Sequence, residues 1–221
     1  MDKKYSGFIK KENEFYQSVT KISVPDDGKS RYEELDIALD WLASGTEKVL
    51  DFGCGAGTML FVAGAKGVKE CVGIDLAEEG IGLCRKRAKL AKKGRYEFMI
   101  GSLDKLKELS SDQFDGIIVS NILDNLYPDD AKALMEEIVR VAKKKAKLFV
   151  KVNPFITAEQ IKKWNIKKIE GNLYDDGLLL WNQTNGEWEK FLDEYVSERK
   201  YMDIYFPEED QHNRMYLCLM K

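Results

Sequence analysis

Between residues 48 and 152, short apolar runs alternate with segments of helical periodicity, and this alternation constrains the fold more than any other feature of the chain. Lys48–Phe52, Cys71–Asp75, Tyr96–Ile100, Phe114–Ser120 and Ala146–Val152 read as strands. Thr58–Ala65, Ala77–Lys93 (closed by Gly94) and a segment from Asp129 or Asp130 to about Ala142 read as helices between them. Strands separated by helices pair through crossovers, which predicts a doubly wound, mainly parallel α/β sheet.

The flanks are less regular. Ser30 and Glu33 have the spacing of a capping box. Behind them Leu35, Ala38, Leu39 and Leu42 repeat as on a helix, which should stop near Gly45. Residues 1–29 are polar, with aromatics (Tyr5, Phe8, Phe15, Tyr16) that show no clean period, and a turn at Pro25-Asp26-Asp27-Gly28. Beyond residue 152, Thr157 and Gln160 suggest a second capping box. Leu178–Trp181 reads as a strand, Asn185-Gly186 as punctuation and Glu187–Val196 as a helix. Tyr201–Phe206 and Met215–Met220 suggest a closing hairpin. The 221 residues suit one domain over 1–221. Residues 1–29 are expected to form a mobile lid hinged at Asp27-Gly28, and 153–200 a cap insertion.

Composition narrows the setting. Lysine and arginine total 35 against 38 aspartates and glutamates, a net charge of −3. That balance lacks the basic footprint of a nucleic-acid binder. The basic runs at 85–95 and 143–147 read as solvated faces. No apolar run approaches the roughly 18 residues that span a bilayer, and no signal-like segment opens the chain. Cys54, Cys71, Cys84 and Cys218 are scattered, with only His212 as a histidine. No zinc site is expected from that set, and reduced thiols in a cytoplasmic protein are.

The chemistry concentrates at Asp51-Phe52-Gly53-Cys54-Gly55-Ala56-Gly57-Thr58. This segment leaves a strand and enters a helix. Alternate glycines let the backbone turn sharply and let a ligand lie against it without meeting a Cβ. Ligands of such sheets sit outside the carboxyl ends of the strands. Asp51, at the mouth of the first strand, suits an ammonium group. Asp75, ending the second, can accept both hydroxyls of a ribose. Gly101-Ser102-Leu103 follows the third strand, where an adenine edge would lie. The fourth strand ends in the polar Asn121.

Taken together, DFGCGAG, VGIDLA, FMIGSL and FDGIIVSNILDNL resemble the successive motifs of class I, Rossmann-like S-adenosylmethionine-dependent methyltransferases of the small-molecule type. The resemblance spans roughly residues 30–152. It implies a doubly wound sheet of seven strands in the order 3-2-1-4-5-7-6, the last antiparallel, with helices on both faces. It also implies S-adenosyl-L-methionine as cofactor and places Asp51, Gly53, Cys54, Gly55 and Gly57 against its methionine. Asp75 then takes the ribose, Leu76 packs on the adenine, Ser102 and Leu103 border it, and Asn121 stands beside the reacting methyl. Ser102 departs from the aspartate often found in that loop. Asp124-Asn125 departs from a Glu-His pair common in small-molecule members, so a histidine base is missing there.

Two rivals remain. A nicotinamide oxidoreductase needs a third glycine where Thr58 stands, and Asp51 would repel a pyrophosphate. A non-catalytic cofactor-binding protein would keep the same loop. Candidates for a general base are Asp124, Tyr127, Asp175, Asp176 and His212, although each also suits a cap, a turn or a loop. Arg31 suits a carboxylate or an exposed first turn. The acceptor is read as a small molecule, since no appended macromolecule-binding domain is visible. The aromatic-rich segment 153–201 (Trp164, Tyr174, Trp181, Trp188) is placed over the cofactor. The identity of the acceptor and the oligomeric state stay open.

Overall fold

The computed structural model describes residues 2–207 and 210–221. Five strands follow in the expected alternation: β1 (Lys48–Phe52), β2 (Glu70–Asp75), β3 (Arg95–Ile100), β4 (Phe114–Ser120) and β5 (Ala142–Val152). The chain closes on a hairpin of β9 (Val196–Phe206) and β10 (Gln211–Met220). These seven strands form one sheet in the order β3-β2-β1-β4-β5-β10-β9. β10 runs antiparallel to both of its neighbours, which is the expected topology. The three strands β6 (Lys167–Glu170), β7 (Leu173–Asp175) and β8 (Leu179–Trp181) form a separate small antiparallel sheet.

The apolar pattern explains the layering. α2 (Glu33–Ala43), α3 (Thr58–Ala65) and α4 (Glu78–Ala88) bury Leu39, Leu60 and Ile81 on one face of the large sheet. On the other, α5 (Leu103–Glu108), α6 (Pro128–Val141) and α8 (Asn185–Asp193) bury Leu106, Ile138 and Trp188. Strand β4 feeds both layers, with Ile117 and Val119 on one side and Ile118 on the other. A central parallel strand covered on both faces needs an unbroken apolar run rather than an alternating one.

Several segments differ from the sequence expectation, each for a local reason. Ser30 makes no capping box with Glu33. Its hydroxyl donates to the Tyr32 carbonyl and its N–H to Asp36, while Tyr32 takes the N-cap position. α4 stops at Ala88, short of Gly94, and a turn fills the gap. Asn185-Gly186 does not break the chain but opens α8, because Thr184 and Glu187 cap each other's backbone. The box at Thr157 and Gln160 forms as expected and starts α7 (Ala158–Lys163). Residues 6–17 form a helix, α1 (Ser6–Gln17), where no period was apparent.

The Thr184 hydroxyl accepts the Glu187 N–H at 3.3 Å while Glu187 accepts the Thr184 N–H at 2.8 Å. Loss of such a cap costs about 1 kcal/mol. Thr184→Ala is therefore expected to lower the denaturation midpoint by that amount without changing the slope, measured by urea unfolding followed by circular dichroism.

Candidate active site

The carboxyl ends of β1, β2, β3 and β4 converge on one cleft, and the glycine loop after β1 forms its floor. Gly53, Gly55 and Gly57 all have positive φ, at 78°, 51° and 74°. The loop is stitched to the next strand by Gly53 N–H and Cys54 N–H, both donating to the Ile74 carbonyl. Asp75 fixes its crest: Oδ2 accepts the Gly55 N–H at 2.7 Å and Oδ1 accepts the Ala77 N–H at 2.7 Å. One carboxylate thus ties the glycine loop to the turn that starts α4.

The glycines serve two different needs. A Cβ on Gly57 would stand 3.0 Å from Cys84 Sγ and 3.1 Å from the Phe61 ring, so this glycine answers packing beneath the loop. A Cβ on Gly53 would overlap the Ile122 side chain, and one on Gly55 would overlap the Tyr16 hydroxyl. Gly53 lines the cleft, whereas Gly55, Gly57 and Asp51 are not among its lining residues.

Asp51 is the least compensated charge in this region. It is 3% exposed, and no hydrogen bond to its carboxylate is found among the described residues. Burial, and then repulsion from Asp75, pushes its carboxyl well above the usual carboxylate range. Burial also raises Asp75, against the pull of its backbone N–H partners. A buried acid without a donor is costly unless a cation or donor arrives with a ligand.

The cleft holds about 520 Å³ of empty space. Of the expected residues, Gly53, Asp75, Leu76, Ser102 and Asn121 line it. Cys54 instead points below the loop, with its thiol toward Gly55 and Cys84. Leu103 begins α5 and packs on the core. Ser102 is buried and its N–H is held by Asp104. Asn121, at φ 54°, has its side-chain oxygen on Lys151 Nζ at 2.8 Å and its carbonyl on Asn125 Nδ2 at 2.7 Å. Gly101, placed by the sequence reading at the adenine edge, lines the cleft as well; Ile122 and Leu126, which the reading did not assign to the site, also line it, as do Tyr5 and Phe8 from the N-terminus.

The base candidates do not gather at one point. Asp124 is 1% exposed and its Oδ2 accepts the Asn153 N–H at 2.7 Å, so it roots the segment after β5 and faces no cleft. Tyr127 starts α6 beside Tyr5 and Lys4. Arg31 is exposed. His212 and Asp176 line a second, wider cleft of about 1980 Å³ open to solvent, between the cap and the final hairpin. Phe155, Trp164 and Tyr201 form part of its wall, and Asn125 borders both clefts. Burial, and then Asp175, raises the Asp176 carboxyl. Among the described residues no cluster suited to a metal is present, and no helix is long and apolar enough to cross a membrane.

The uncompensated Asp51 gives a stability prediction. Its folded pKa lies above the unfolded value of about 3.9, so the ligand-free fold loses stability as the pH rises past the unfolded pKa, and the penalty is complete above the folded one. The penalty vanishes below the unfolded pKa. Asp51→Asn should therefore stabilise the ligand-free chain by about 1 kcal/mol at pH 7, and the gain should shrink on acidification, read by thermal denaturation across pH.

Comparison with known proteins agrees with this geometry. The description of the methyltransferase domain matches residues 43–196. Among solved structures, the 1,6-didemethyltoxoflavin N1-methyltransferase of Burkholderia thailandensis, bound to that compound and S-adenosylhomocysteine, superposes with a TM-score of 0.72. It is 16% identical, over 99% of this chain and 89% of that one. The N-methyltransferase NodS of Bradyrhizobium japonicum, with S-adenosylhomocysteine, gives 0.66 at 15% identity over 95% and 97%. A Pyrococcus horikoshii protein gives 0.67 at 20% over 94% and 99%. At these identities the likeness is one of fold. No curated protein sequence matches significantly. With the domain matched from α2 to the start of β9 and the sheet order, glycine loop and strand-end acids all in place, the chain belongs to the methyltransferase-domain family.

Proposed function

We propose that this methyltransferase takes its methyl group from S-adenosyl-L-methionine and passes it to a small-molecule acceptor. The carrying observation is the buried Asp51 and the half-buried Asp75 beside the glycine loop, with no protein cation bonded to either among the described residues. Such a pair suits a cationic ligand bearing a ribose and opposes the pyrophosphate of a nicotinamide cofactor. The residues fit the cofactor. Asp51 takes the methionine ammonium, Asp75 the ribose hydroxyls, and Leu76 with the Gly101-Ser102 turn the adenine. Gly53 and Asn121 border the methionine. When bound, the cofactor supplies an electrophilic methyl on a sulfonium, so the chain has mainly to orient the acceptor and exclude water.

The acceptor enters from the wide cleft under the cap. Asn125, shared by the two clefts, marks where they meet. Asp176, Asp203, Asp210 and His212 line the wide cleft, and Asp176 and His212 are the candidates among them to take a proton from an acceptor. The two solved N-methyltransferases named above support a small-molecule acceptor, and the acidic balance of the chain disfavours nucleic acid. Four unbridged cysteines agree with a cytoplasmic site.

Residues 6–17 serve as the lid. α1 is tied to α6 by the Tyr5 hydroxyl, which donates to Asp130 at 2.7 Å and accepts the Tyr127 N–H at 3.2 Å. It reaches the cap through Lys11 Nζ on the Gly177 carbonyl at 2.8 Å, and α4 through Gln17 on Glu79 at 3.0 Å. The ties to the cap and to α4 are exposed bonds worth little each, whereas Tyr5 is 7% exposed and makes two bonds.

Two outcomes test this reading. Calorimetry should show S-adenosylmethionine and S-adenosylhomocysteine binding and NAD failing to bind; NAD binding alone would sink it. Amide hydrogen exchange over residues 6–17 should slow when S-adenosylhomocysteine is added, whereas identical exchange would leave α1 as a fixed arm.

A further inference from the structure

We infer that Glu12, delivered by α1, is a third acidic contact of the cofactor site, and that it makes the closed site prefer the positively charged S-adenosylmethionine to its uncharged-sulfur product, S-adenosylhomocysteine. The inference rests on the cofactor reading above and extends it to the lid.

The placement of α1 comes first. Tyr5, Phe8, Ile9, Glu12 and Tyr16 are spaced i, i+3, i+4, i+7 and i+11, so they share one face of the helix. That face is turned to the cleft: Tyr5 and Phe8 line it, and Tyr16 reaches the glycine loop. Two glycines make room for Tyr16. A Cβ on Gly55 would overlap its hydroxyl, and a Cβ on Gly80, in the first turn of α4, would stand 3.0 Å from its ring. The seat is therefore specific to this side chain. Glu12 lies one turn before Tyr16 on that face, half-buried, within the electrostatic influence of the Tyr16 hydroxyl and the Asp75 carboxylate. Its carboxyl is raised mainly by burial.

Three carboxylates thus gather at the loop: Asp51 and Asp75 from the sheet, Glu12 from the lid. Asp75 has backbone N–H partners. Asp51, nine-tenths buried and without a donor, has none among the described residues. Arg87, below the loop, is spent on the Ser23 and Ala56 carbonyls and the Thr58 hydroxyl, and Lys151 is held by the Asn121 side chain. The only charge difference between cofactor and product is the sulfonium. The ammonium and carboxylate are common to both, so their contacts cancel in a ratio of affinities. A carboxylate on a movable helix favours closure over the cation and relaxes once the methyl has left. Transfer itself then loosens the lid, which assists product release.

Calorimetry on the full chain, with S-adenosylmethionine and S-adenosylhomocysteine as probes, tests the inference in wild type, Glu12→Gln, Glu14→Gln and Tyr16→Phe. Glu14 is exposed on the opposite face of α1, so it controls for net charge. Tyr16→Phe alters the seat and keeps the acid. In Glu12→Gln the preference for the cation should fall about tenfold, the scale of one unit charge roughly 12 Å away at an effective dielectric near 20. Glu14→Gln and Tyr16→Phe should leave the ratio as in wild type. An equal loss for both ligands in Glu12→Gln, or an unchanged ratio, overturns the inference alone. Binding of neither ligand by the wild-type chain overturns the cofactor reading and this inference with it.

Discussion

The carboxylate of Asp75 holds the site together, because it accepts two backbone N–H groups that belong to different turns. Gly55 sits in the loop after β1, and Ala77 caps α4. Had each N–H been left without an acceptor, the loop would be free to relax across the cleft. Parallel pairing delivers the acid to this spot: β1 and β2 run in register from Lys48 and Glu70, with Phe52 opposite Ile74. Their ends are level, so a side chain one residue past that pair reaches over the neighbouring loop. The price is electrostatic. A second carboxylate, Asp51, stands close enough to raise its own pKa through Asp75, and neither is neutralised by a protein cation. The fold therefore carries a local instability at the one place where a cationic ligand would relieve it.

Absent side chains shape the rest of the cleft. Gly53 leaves space that Ile122 enters, and Gly55 leaves space that Tyr16 enters. Ile122 follows β4 and Tyr16 belongs to α1, so the loop is read by two elements that are remote in sequence. Gly57 and Gly73 work underneath. A Cβ at Gly73 would come within 2.7 Å of Cys54 Sγ and of the Phe98 ring. Cys54 thus belongs to the support of the loop, despite its position within the motif.

Most of the sheet was legible because its strands are central and covered on both sides. Phe114–Ser120 has an apolar run that only such a strand needs, and both its ends match the structure. Gly53 and Asp75, which line the cleft, were legible for the same reason, being fixed to strand ends. What escaped was amphipathic with a polar interruption. On α1 the apolar face is broken by Glu12 at its centre, while Phe15, at 61% exposure, points away from it. Counting aromatics therefore hid a helical stripe. α5 escaped because its six residues offer only Leu103 and Leu106 as apolar anchors. The expected Ser30 cap failed because Asp36 competed for the Ser30 N–H and the helix began later. Asp124 looked like a base by position, yet its surroundings make it a tether.

The cap has a rigid root and an open mouth, and this division bears on specificity. At the root, Arg214 is 5% exposed and donates to the Asn153 carbonyl from Nε and a terminal nitrogen, and to the Gln183 carbonyl at 2.7 Å. Asn182 exchanges two bonds with the Ile156 backbone, at 2.9 and 2.7 Å. Asp124 holds Asn153 from the other side. These bonds of Arg214 and Asn182 fix the angle at which the segment leaves β5, although Asp124 Oδ1 is buried there without a partner. At the mouth, Phe155 and Trp164 stay 42% and 52% exposed, in a cleft far wider than the cofactor pocket. Side chains there touch few neighbours and can change without disturbing the root. On the proposed function, the sheet and the root would set the geometry of methyl transfer and the residues lining the mouth would choose the acceptor.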